Sequence, residues 1–245
     1  MVKFIDIRER EEDILKLVID SYIQESKPIS SAYICEKYRP NCSSATIRNI
    51  MLSLENQGFL SHIYTSSGRV PTTKGFKHYV EQLSESLDSE PDVHFAIASL
   101  SGLTIEKAID HSLDALAQLS GYTSLIAVSG QNDRLFFKGV RFMLEQPEFE
   151  DVERFKNILY ALEVRVDELG NLLSRCVGNK IKILIGEDIG FDEISSCSLL
   201  ISGLKEKQVS LALALLGPIR MNYAKAASSL RFIQNQLKEV VEAFI

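Results

Sequence analysis

The fold of the first third of the chain is decided by one stretch, Ser43-Ser44-Ala45-Thr46-Ile47-Arg48-Asn49-Ile50-Met51-Leu52-Ser53-Leu54. Its apolar residues Ile47, Ile50, Met51 and Leu54 recur at spacings of three, one and three, which predicts a helix with one buried face. The serines can cap the first turn, and Gly58 can end the helix in the left-handed conformation. Polar residues are left on the opposite face.

Two helices are predicted before this stretch. The first carries apolar or small residues at helical spacing behind an acidic start, and they are Ile14, Leu17, Val18, Ser21 and Tyr22. Lys27-Pro28 ends it. The second runs from Ser31 to about Tyr38, and Arg39-Pro40 breaks the chain again before Ser43. Three consecutive helices with short connections are typical of a helix-turn-helix unit.

A hairpin and a fourth helix are predicted after Gly58. Residues 59–64 are β-branched and aromatic, residues 65–68 have turn chemistry, and residues 69–71 are extended. Gly68 is expected to supply a positive φ at the hairpin tip. A helix follows over residues 73 to about 83. Together these elements predict a winged helix-turn-helix domain over residues 1–83, followed by a polar linker at 84–92.

The charge of the chain is unevenly distributed. The whole chain has 245 residues and a net charge of -6, which argues against nucleic acid. Residues 39–80, however, contain one carboxylate, Glu55, and five cations, which are Arg39, Arg48, Arg69, Lys74 and Lys77. An acidic protein therefore carries a locally basic segment, as expected of a small DNA-binding domain attached to an acidic body.

Residues 93–245 predict an α+β domain with an antiparallel sheet. A helical face is formed by Ile105, Ile109, Leu113 and Leu116. Strands are predicted at 124–129, 135–144, 181–185, 198–204 and 209–216, with helices at 149–162 and 164–176. Because strands and helices do not alternate regularly, the order favours an antiparallel α+β sheet over a doubly wound parallel sheet.

The last helix contains a regular apolar pattern. Its residues step by three and four, and we call them the heptad seam: Tyr223, Ala226, Leu230, Ile233, Leu237, Val240 and Phe244. Such a seam packs either on the sheet of its own domain or on a helix of a second subunit. Both interpretations are open at this point, and the second would provide a dimer contact.

Seven residues are predicted to bind DNA. Ser43, Ser44 and Thr46 suit phosphates or base edges near a helix N-terminus, although the serines are equally suited to capping. Arg48 can pair with guanine and Asn49 with adenine. Arg69, beside the hairpin tip, suits a phosphate or a narrow minor groove, and Lys74 suits a phosphate, although solvated side chains are the alternative.

No catalytic or metal-binding motif is present in the sequence. Phosphate-loop, dinucleotide and nucleophile-elbow patterns are missing, and the four histidines are scattered. Cys35, Cys42, Cys176 and Cys197 form no C-x-x-C pair, which favours reduced thiols in a cytoplasmic protein. We expect no enzyme activity, no cofactor, no metal and no membrane segment.

Five segments resemble the HrcA family of heat-inducible transcription repressors. They are SSATIRN (43–49), TSSGRVPTTKGF (65–76), QPEF (146–149), IGED (185–188) and GPIRMNY (217–223). The resemblance implies a winged helix joined to a GAF-like α/β sandwich domain. It also implies a homodimer that represses chaperone operons at an inverted-repeat operator and is regulated through the chaperonin.

The chain departs from this family in two places. Ile50 stands where an acidic residue is usual. Only residues 130–134 separate two predicted strands, where family members usually carry an inserted dimerisation domain. Two other functions are kept open: a regulator that senses a small molecule through its GAF-like domain, and a winged helix used only for protein interaction.

Overall fold

A computed structural model describes residues 7–64, 68–87, 102–130, 133–178, 180–206 and 209–243. The chain separates into two compact units, Met1–Leu83 and Ser84–Ile245. Among the helices of the described ranges, none is both long and apolar enough to cross a membrane.

The described part of the first unit contains helices and a short antiparallel sheet. In chain order the elements are α1 (Ile7–Glu25), α2 (Ser31–Tyr38), α3 (Ser44–Asn56), β1 (Leu60–Ser61), β2 (Val70–Pro71) and α4 (Thr73–Leu87). Strand β1 pairs with β2, and Ile29 adds an isolated antiparallel bridge to Arg69. The predicted order of elements is therefore observed.

Helix α3 buries the face that its sequence predicts. Ile47, Met51 and Leu54 are buried, and Ile50 is partly buried. Gly58 has a φ of 79° and ends the helix in a Schellman turn, in which the amide of Phe59 donates to the carbonyl of Leu54 at 2.9 Å. This turn directs the chain from α3 into β1.

The prediction for Gly68 is wrong. Gly68 is not among the glycines with positive φ, and a Cβ at this position would lie 2.5 Å from the backbone of Ile29. The backbone bridge between Ile29 and Arg69 brings the two segments this close, so glycine is needed for space and not for its φ. The predicted tip residues 65–67 lie outside the described residues.

Helix α4 is longer than predicted. It continues to Leu87 because no glycine or proline interrupts residues 76–87. The first residues of the predicted linker are therefore helical, and residues 88–92 lie outside the described ranges.

The second unit is built on a five-stranded antiparallel sheet. Its elements are α5 (Ile105–Ser120), β3 (Thr123–Ser129), β4 (Arg134–Lys138), α6 (Arg141–Leu144), α7 (Val152–Glu163), α8 (Val166–Arg175), β5 (Lys182–Ile185), β6 (Cys197–Glu206), β7 (Val209–Pro218) and α9 (Tyr223–Ala243). Short 3-10 helices lie at Pro147–Phe149, Gly186–Ile189 and Asp192–Ile194. The strand order is β4-β3-β7-β6-β5.

Helices cover both faces of this sheet. Leu125 and Ala127 of β3 belong to one apolar core with residues of α7 and α8. The alternate strand residues point the other way, since Ser124 donates to a carbonyl of α5 and Ser202 donates to Gln234 of α9. The predicted α+β class with an antiparallel sheet is confirmed.

Two predicted elements of the second unit differ from the structure. The strand predicted at 135–144 ends at Lys138, because Gly139 takes a φ of 81° and the chain then turns into α6. The helix predicted at 149–162 begins at Val152, where the side chain of Asp151 caps the amide of Glu153 at 3.0 Å.

The heptad seam packs inside its own unit. All its described members are at most 5% exposed, from Tyr223 through Val240, and α9 contacts α5, β6 and β7. Phe244 lies outside the described residues. The hypothesis that this seam contacts a second subunit is therefore wrong, because the apolar side chains are already covered by the sheet and α5.

Candidate nucleic-acid interface

The start of α3 is fixed by hydroxyl groups. Ser43 Oγ accepts the amide hydrogen of Thr46 at 3.2 Å and lies 3.0 Å from Thr46 Oγ1. Ser44 Oγ lies 3.1 Å from Ser31 Oγ at the start of α2. These three predicted DNA-binding hydroxyls thus cap α3 and join it to α2, which orients the exposed part of the helix.

One face of α3 is exposed, and we call its four residues the reading face: Ala45, Arg48, Asn49 and Leu52. The side chains of Arg48 and Asn49 make no hydrogen bond or ion pair with the described part of the chain. Their polar groups are therefore available to a partner. Because Ile47 and Met51 anchor the opposite face, the reading face cannot rotate inward without exposing the core.

Two members of the reading face, Ala45 and Leu52, were not among the predicted DNA-binding residues. Ala45 is exposed, and Leu52 leaves 48% of its surface in solvent. The sequence contains a pattern that identifies both residues. Positions 45, 48, 49 and 52 have the same spacing of three, one and three as the buried residues, and they therefore share the opposite side of the helix. Apolar side chains at such positions can contact the methyl group of thymine.

Arg69 is held by a carboxylate of α3. Its Nε lies 2.8 Å from Glu55 Oε2, and His62 bonds the other oxygen of the same carboxylate. Partial burial would by itself raise the pKa of Glu55, but the hydrogen bond from His62 and the charge of Arg69 outweigh it and lower the pKa. The predicted wing arginine is therefore positioned by an ion pair to α3.

Lys74 binds the C-terminal end of α3. Its Nζ donates to the carbonyl of Gln57 at 2.8 Å and lies 4.6 Å from the centre of the Phe59 ring. Nearby, a Cβ at Gly75 would lie 2.3 Å from the carbonyl oxygen of Phe59. Residues 74 and 75 thus have clear structural roles, and a phosphate contact by Lys74 would have to share an ammonium group that is already bonded.

A second group of polar residues joins two segments of the α+β unit. Arg220 Nε pairs with Glu148, and its guanidinium also donates to Gln146 Oε1 at 3.1 Å. Asn222 N donates to the hydroxyl of Tyr122 at 2.8 Å. We call these residues the signature cluster, because it brings together QPEF (146–149) and GPIRMNY (217–223), which lie about 70 residues apart in the sequence.

The cysteines do not form a reactive centre. All four are free thiols, and burial raises the pKa of the Cys197 thiol to about 12. Within the described ranges, no three histidine, cysteine, aspartate or glutamate residues converge as metal ligands.

Two features define the class of this protein. The first unit is small and mainly helical and exposes Arg48 on α3, and the second unit is an antiparallel sheet with helices on both faces. The family can be named more closely. A family model described as HrcA protein C terminal domain matches residues 39–227. The chain belongs to the HrcA family.

Relatives named heat-inducible transcription repressor HrcA cover nearly the whole chain. The protein from Desulforudis audaxviator is 27% identical over 340 positions, which span 96% of this chain and 98% of the relative. The protein from Acetivibrio thermocellus is 25% identical over 342 positions, with 97% of each chain covered. Because this chain has 245 residues, each relative contains about 95 or more residues without a counterpart in it.

A solved structure described as a hypothetical protein shows the same fold. It superposes with a TM-score of 0.78 at 19% identity, covering 97% of this chain and 98% of that chain. At this identity the similarity concerns the fold alone.

Proposed function

We propose that this protein is a sequence-specific DNA-binding repressor of heat-shock genes. Its first unit acts as a winged helix-turn-helix with α3 in the major groove, and its second unit acts as a GAF-like regulatory domain. The curated relatives, which are named heat-inducible transcription repressors, support the biological role. The main support for DNA binding is that the reading face of α3 is exposed.

The reading face has the chemistry that base recognition needs. Arg48 offers a planar fork of donors for guanine, and Asn49 offers a donor and an acceptor for adenine. Both are exposed on a helix whose start is fixed by the Ser43 cap and by the Ser31–Ser44 contact. Leu52 adds an apolar surface for thymine methyl groups.

The β1–β2 hairpin is the proposed wing. Arg69 directly precedes β2, on the loop side of the hairpin, and pairs with Glu55 of α3. We propose that this pair fixes the distance between the wing and the helix, so that Arg69 reaches the DNA backbone when α3 occupies the groove. Lys74 and the capping hydroxyls Ser43, Ser44 and Thr46 are secondary phosphate contacts in this proposal.

Repression as proposed requires two copies and a regulatory partner. A homodimer would read an inverted repeat, because protein two-fold symmetry matches two half-sites. Since the heptad seam is buried, we place the dimer contact on another surface of the sheet unit. The proposed regulatory partner is the chaperonin. The corresponding test is to add chaperonin to a DNA-binding assay at the salt concentration of the cytoplasm.

The central experiment starts with selection of binding sites from a random duplex library. We expect an inverted repeat to be enriched, and we expect the logarithm of its affinity to fall linearly with the logarithm of salt concentration. Arg48→Ala should weaken binding to that site by about 1–3 kcal/mol and relax the preference at one base pair per half-site. Fluorescence anisotropy titrations measure both effects.

Arg154→Ala provides the matched control, because Arg154 is an exposed arginine of α7 in the other unit. It should bind the selected site like the wild type. Equal binding by Arg48→Ala and the wild type would refute the reading face. A chain that enriches no duplex at low salt would refute DNA binding and would favour a winged helix used for protein interaction.

A further inference from the structure

Strand β4 forms one edge of the five-stranded sheet. The strand order β4-β3-β7-β6-β5 leaves the outer side of β4 without a partner strand among the described residues. An edge strand presents a row of backbone N–H and C=O groups that can pair with a strand of another chain. The outer side of β4 is therefore a surface on which a further strand can extend the sheet.

The sheet unit holds β4 in a fixed position. An uninterrupted ladder of five residue pairs joins it to β3. Leu135 and Phe137 pack against the apolar core on one face of the sheet, and α5 contacts β4 on the other face. The outer edge is thus ordered before any partner arrives, which lowers the entropic cost of binding.

The middle of β4 has none of the common features that block pairing at a sheet edge. Such edges are usually protected by proline, by a bulge or by charged side chains. β4 contains no proline, its ladder with β3 has no bulge, and its central residues Leu135, Phe136 and Phe137 are apolar. Its two cations, Arg134 and Lys138, stand at the ends of the strand, so the charges of these ends decide which strand fits.

Two β4 strands are complementary to each other when they pair about a two-fold axis at Phe136. In this antiparallel register, Phe136 lies opposite the partner's Phe136, Leu135 lies opposite the partner's Phe137, and Arg134 lies opposite the partner's Lys138. Residues directly opposite each other in antiparallel strands are neighbours on the same face of the sheet. Apolar residues therefore meet apolar residues in the middle of the contact.

The ends of the two strands attract each other, because Lys138 already pairs with two carboxylates of α5. Its Nζ lies 2.7 Å from Asp110 Oδ1 and 2.6 Å from Asp114 Oδ2, so this group has one negative charge in excess. Lys107 of the same helix makes no ion pair with either carboxylate among the described residues. Arg134 is exposed and makes no ion pair within the described ranges. Each Arg134 thus supplies the positive charge that the group around the partner's Lys138 lacks.

We propose that two copies of this chain associate through their β4 edges and form one continuous antiparallel sheet. The same surface is used on both copies, so the contact closes as a dimer and does not grow into a filament. This inference rests on the proposed function in so far as that function needs a homodimer. Because association is measured without DNA, its failure would leave the test of the reading face unaffected.

Sedimentation equilibrium of the full chain without DNA tests the association. We expect a dimer with twice the mass of one chain. Arg134→Glu should raise the dissociation constant of this dimer about tenfold, because attraction becomes repulsion at both ends of the contact. Circular dichroism should show unchanged folding of the variant, since the Arg134 side chain is exposed.

Arg154→Glu is the matched control, since Arg154 is an exposed arginine of α7 and lies outside β4. It should form the dimer as tightly as the wild type. Asp114→Lys added to Arg134→Glu should restore most of the lost affinity, because the exchanged charges again attract each other across the contact. A merely structural effect of Arg134→Glu would not be reversed in this way.

Phe136→Cys tests the register of the two strands. Residue 136 opposes itself across the two-fold axis at a Cα separation of about 4.5–5.5 Å, which a disulfide can span. Under oxidation we expect this variant to form a covalent dimer on a non-reducing gel. Lys182→Cys, on the opposite edge strand β5, should behave like the wild type with its four native cysteines.

Four outcomes would overturn the proposal. They are a wild type that stays monomeric at all concentrations, a mass that grows beyond the dimer, an Arg134→Glu variant that dimerises as tightly as the wild type, and crosslinking through Lys182→Cys in place of Phe136→Cys. Growth beyond the dimer would indicate that β4 of one copy pairs with β5 of the next, which is a contact that does not close.

Discussion

Arg69 and Glu55 show how a residue's role depends on neighbours that are distant in the sequence. In the sequence, Arg69 is one of five cations in residues 39–80, and Glu55 is their single acidic neighbour. In the fold, the two form an ion pair at 2.8 Å in which both side chains are mostly buried. The pair is therefore part of the connection between α3 and the hairpin as well as part of the proposed interface.

Glu55→Gln should make the first unit less sensitive to acid. The pKa of Glu55 is lowered in the folded chain, so its carboxylate stabilises the fold above the unfolded-state pKa, and this contribution is lost as the pH falls through the folded-state pKa. The free energy of unfolding of the wild type should exceed that of the variant at about pH 6, and the difference should shrink towards about pH 3. Urea unfolding followed by circular dichroism measures this difference.

Glu36→Gln is the comparison for this measurement. Glu36 is exposed on α2 and makes no ion pair within the described ranges, so its removal should leave the pH dependence of stability close to that of the wild type. A Glu55→Gln variant whose stability difference from the wild type stays constant between these pH values would contradict the stabilising role of the ion pair.

At the scale of a single element, the apolar spacing of helix α9 is compatible with two kinds of packing. The heptad seam has the spacing of a coiled coil, but the same spacing suits a helix that lies on a sheet. Tyr223, Leu230 and Leu237 are all at most 1% exposed within the unit. The pattern alone predicts which side of the helix is buried and leaves the covering element undetermined.

Leu230→Asp should destabilise the sheet unit and should not act by separating subunits. A carboxylate at this position would be buried among α5 and the sheet without a cation, and the expected loss of unfolding free energy is at least about 3 kcal/mol. Thermal unfolding measures the loss, and light scattering on the remaining folded protein measures its mass.

Asn235→Asp places the same carboxylate on the exposed side of α9 and should change the unfolding free energy by less than about 1 kcal/mol. If Leu230→Asp kept the stability of the wild type and only halved the mass, the seam would be a subunit contact, and its packing on the sheet and α5 would be wrong.

At the scale of the molecule, the signature cluster joins two segments that lie about 70 residues apart in the sequence. Glu148 follows α6, and Arg220 follows the last strand, yet their side chains form an ion pair with 11% of the arginine and 25% of the glutamate exposed. Tyr223, in the same segment as Arg220, shares a hydrogen bond with Ser198 at 2.8 Å. These contacts fix the end of the sheet to the segment before α7.

Arg220→Gln should leave the Glu148 charge without its main partner and lower the unfolding free energy by about 2 kcal/mol or more. Adding Glu148→Gln should recover part of that loss, because the unpaired charge is then removed. A double-mutant cycle should give a coupling of about 1–3 kcal/mol. Denaturant unfolding of the full chain provides the four stabilities.

The exposed pair Glu153 and Lys156 is the reference cycle, because both side chains are more than half exposed. Its coupling should be about 0.5 kcal/mol or less. Equal coupling for the two pairs would show that Arg220 and Glu148 contribute no more than surface charges.

Local signals in the sequence predict much of the secondary structure and the fold class of this protein. The spacing of Ile47, Met51 and Leu54 predicts α3 and its buried face, the Ser43 and Gly58 signals predict its two ends, and the irregular order of strands and helices predicts an antiparallel α+β unit. Helical periodicity, capping and turn chemistry act over a few residues, so the sequence carries them directly.

Contacts between distant residues are decided by the tertiary structure. Helical periodicity is enough to establish that α3 exposes Arg48 and Asn49 and that α9 has a buried face. The need for glycine at residue 68 beside Ile29, the ion pair of Arg69 with Glu55, and the cover of the heptad seam by the sheet all depend on contacts in the folded chain. The physical reason is that periodicity specifies which side of an element is apolar, whereas the partner of that side depends on how the whole unit packs.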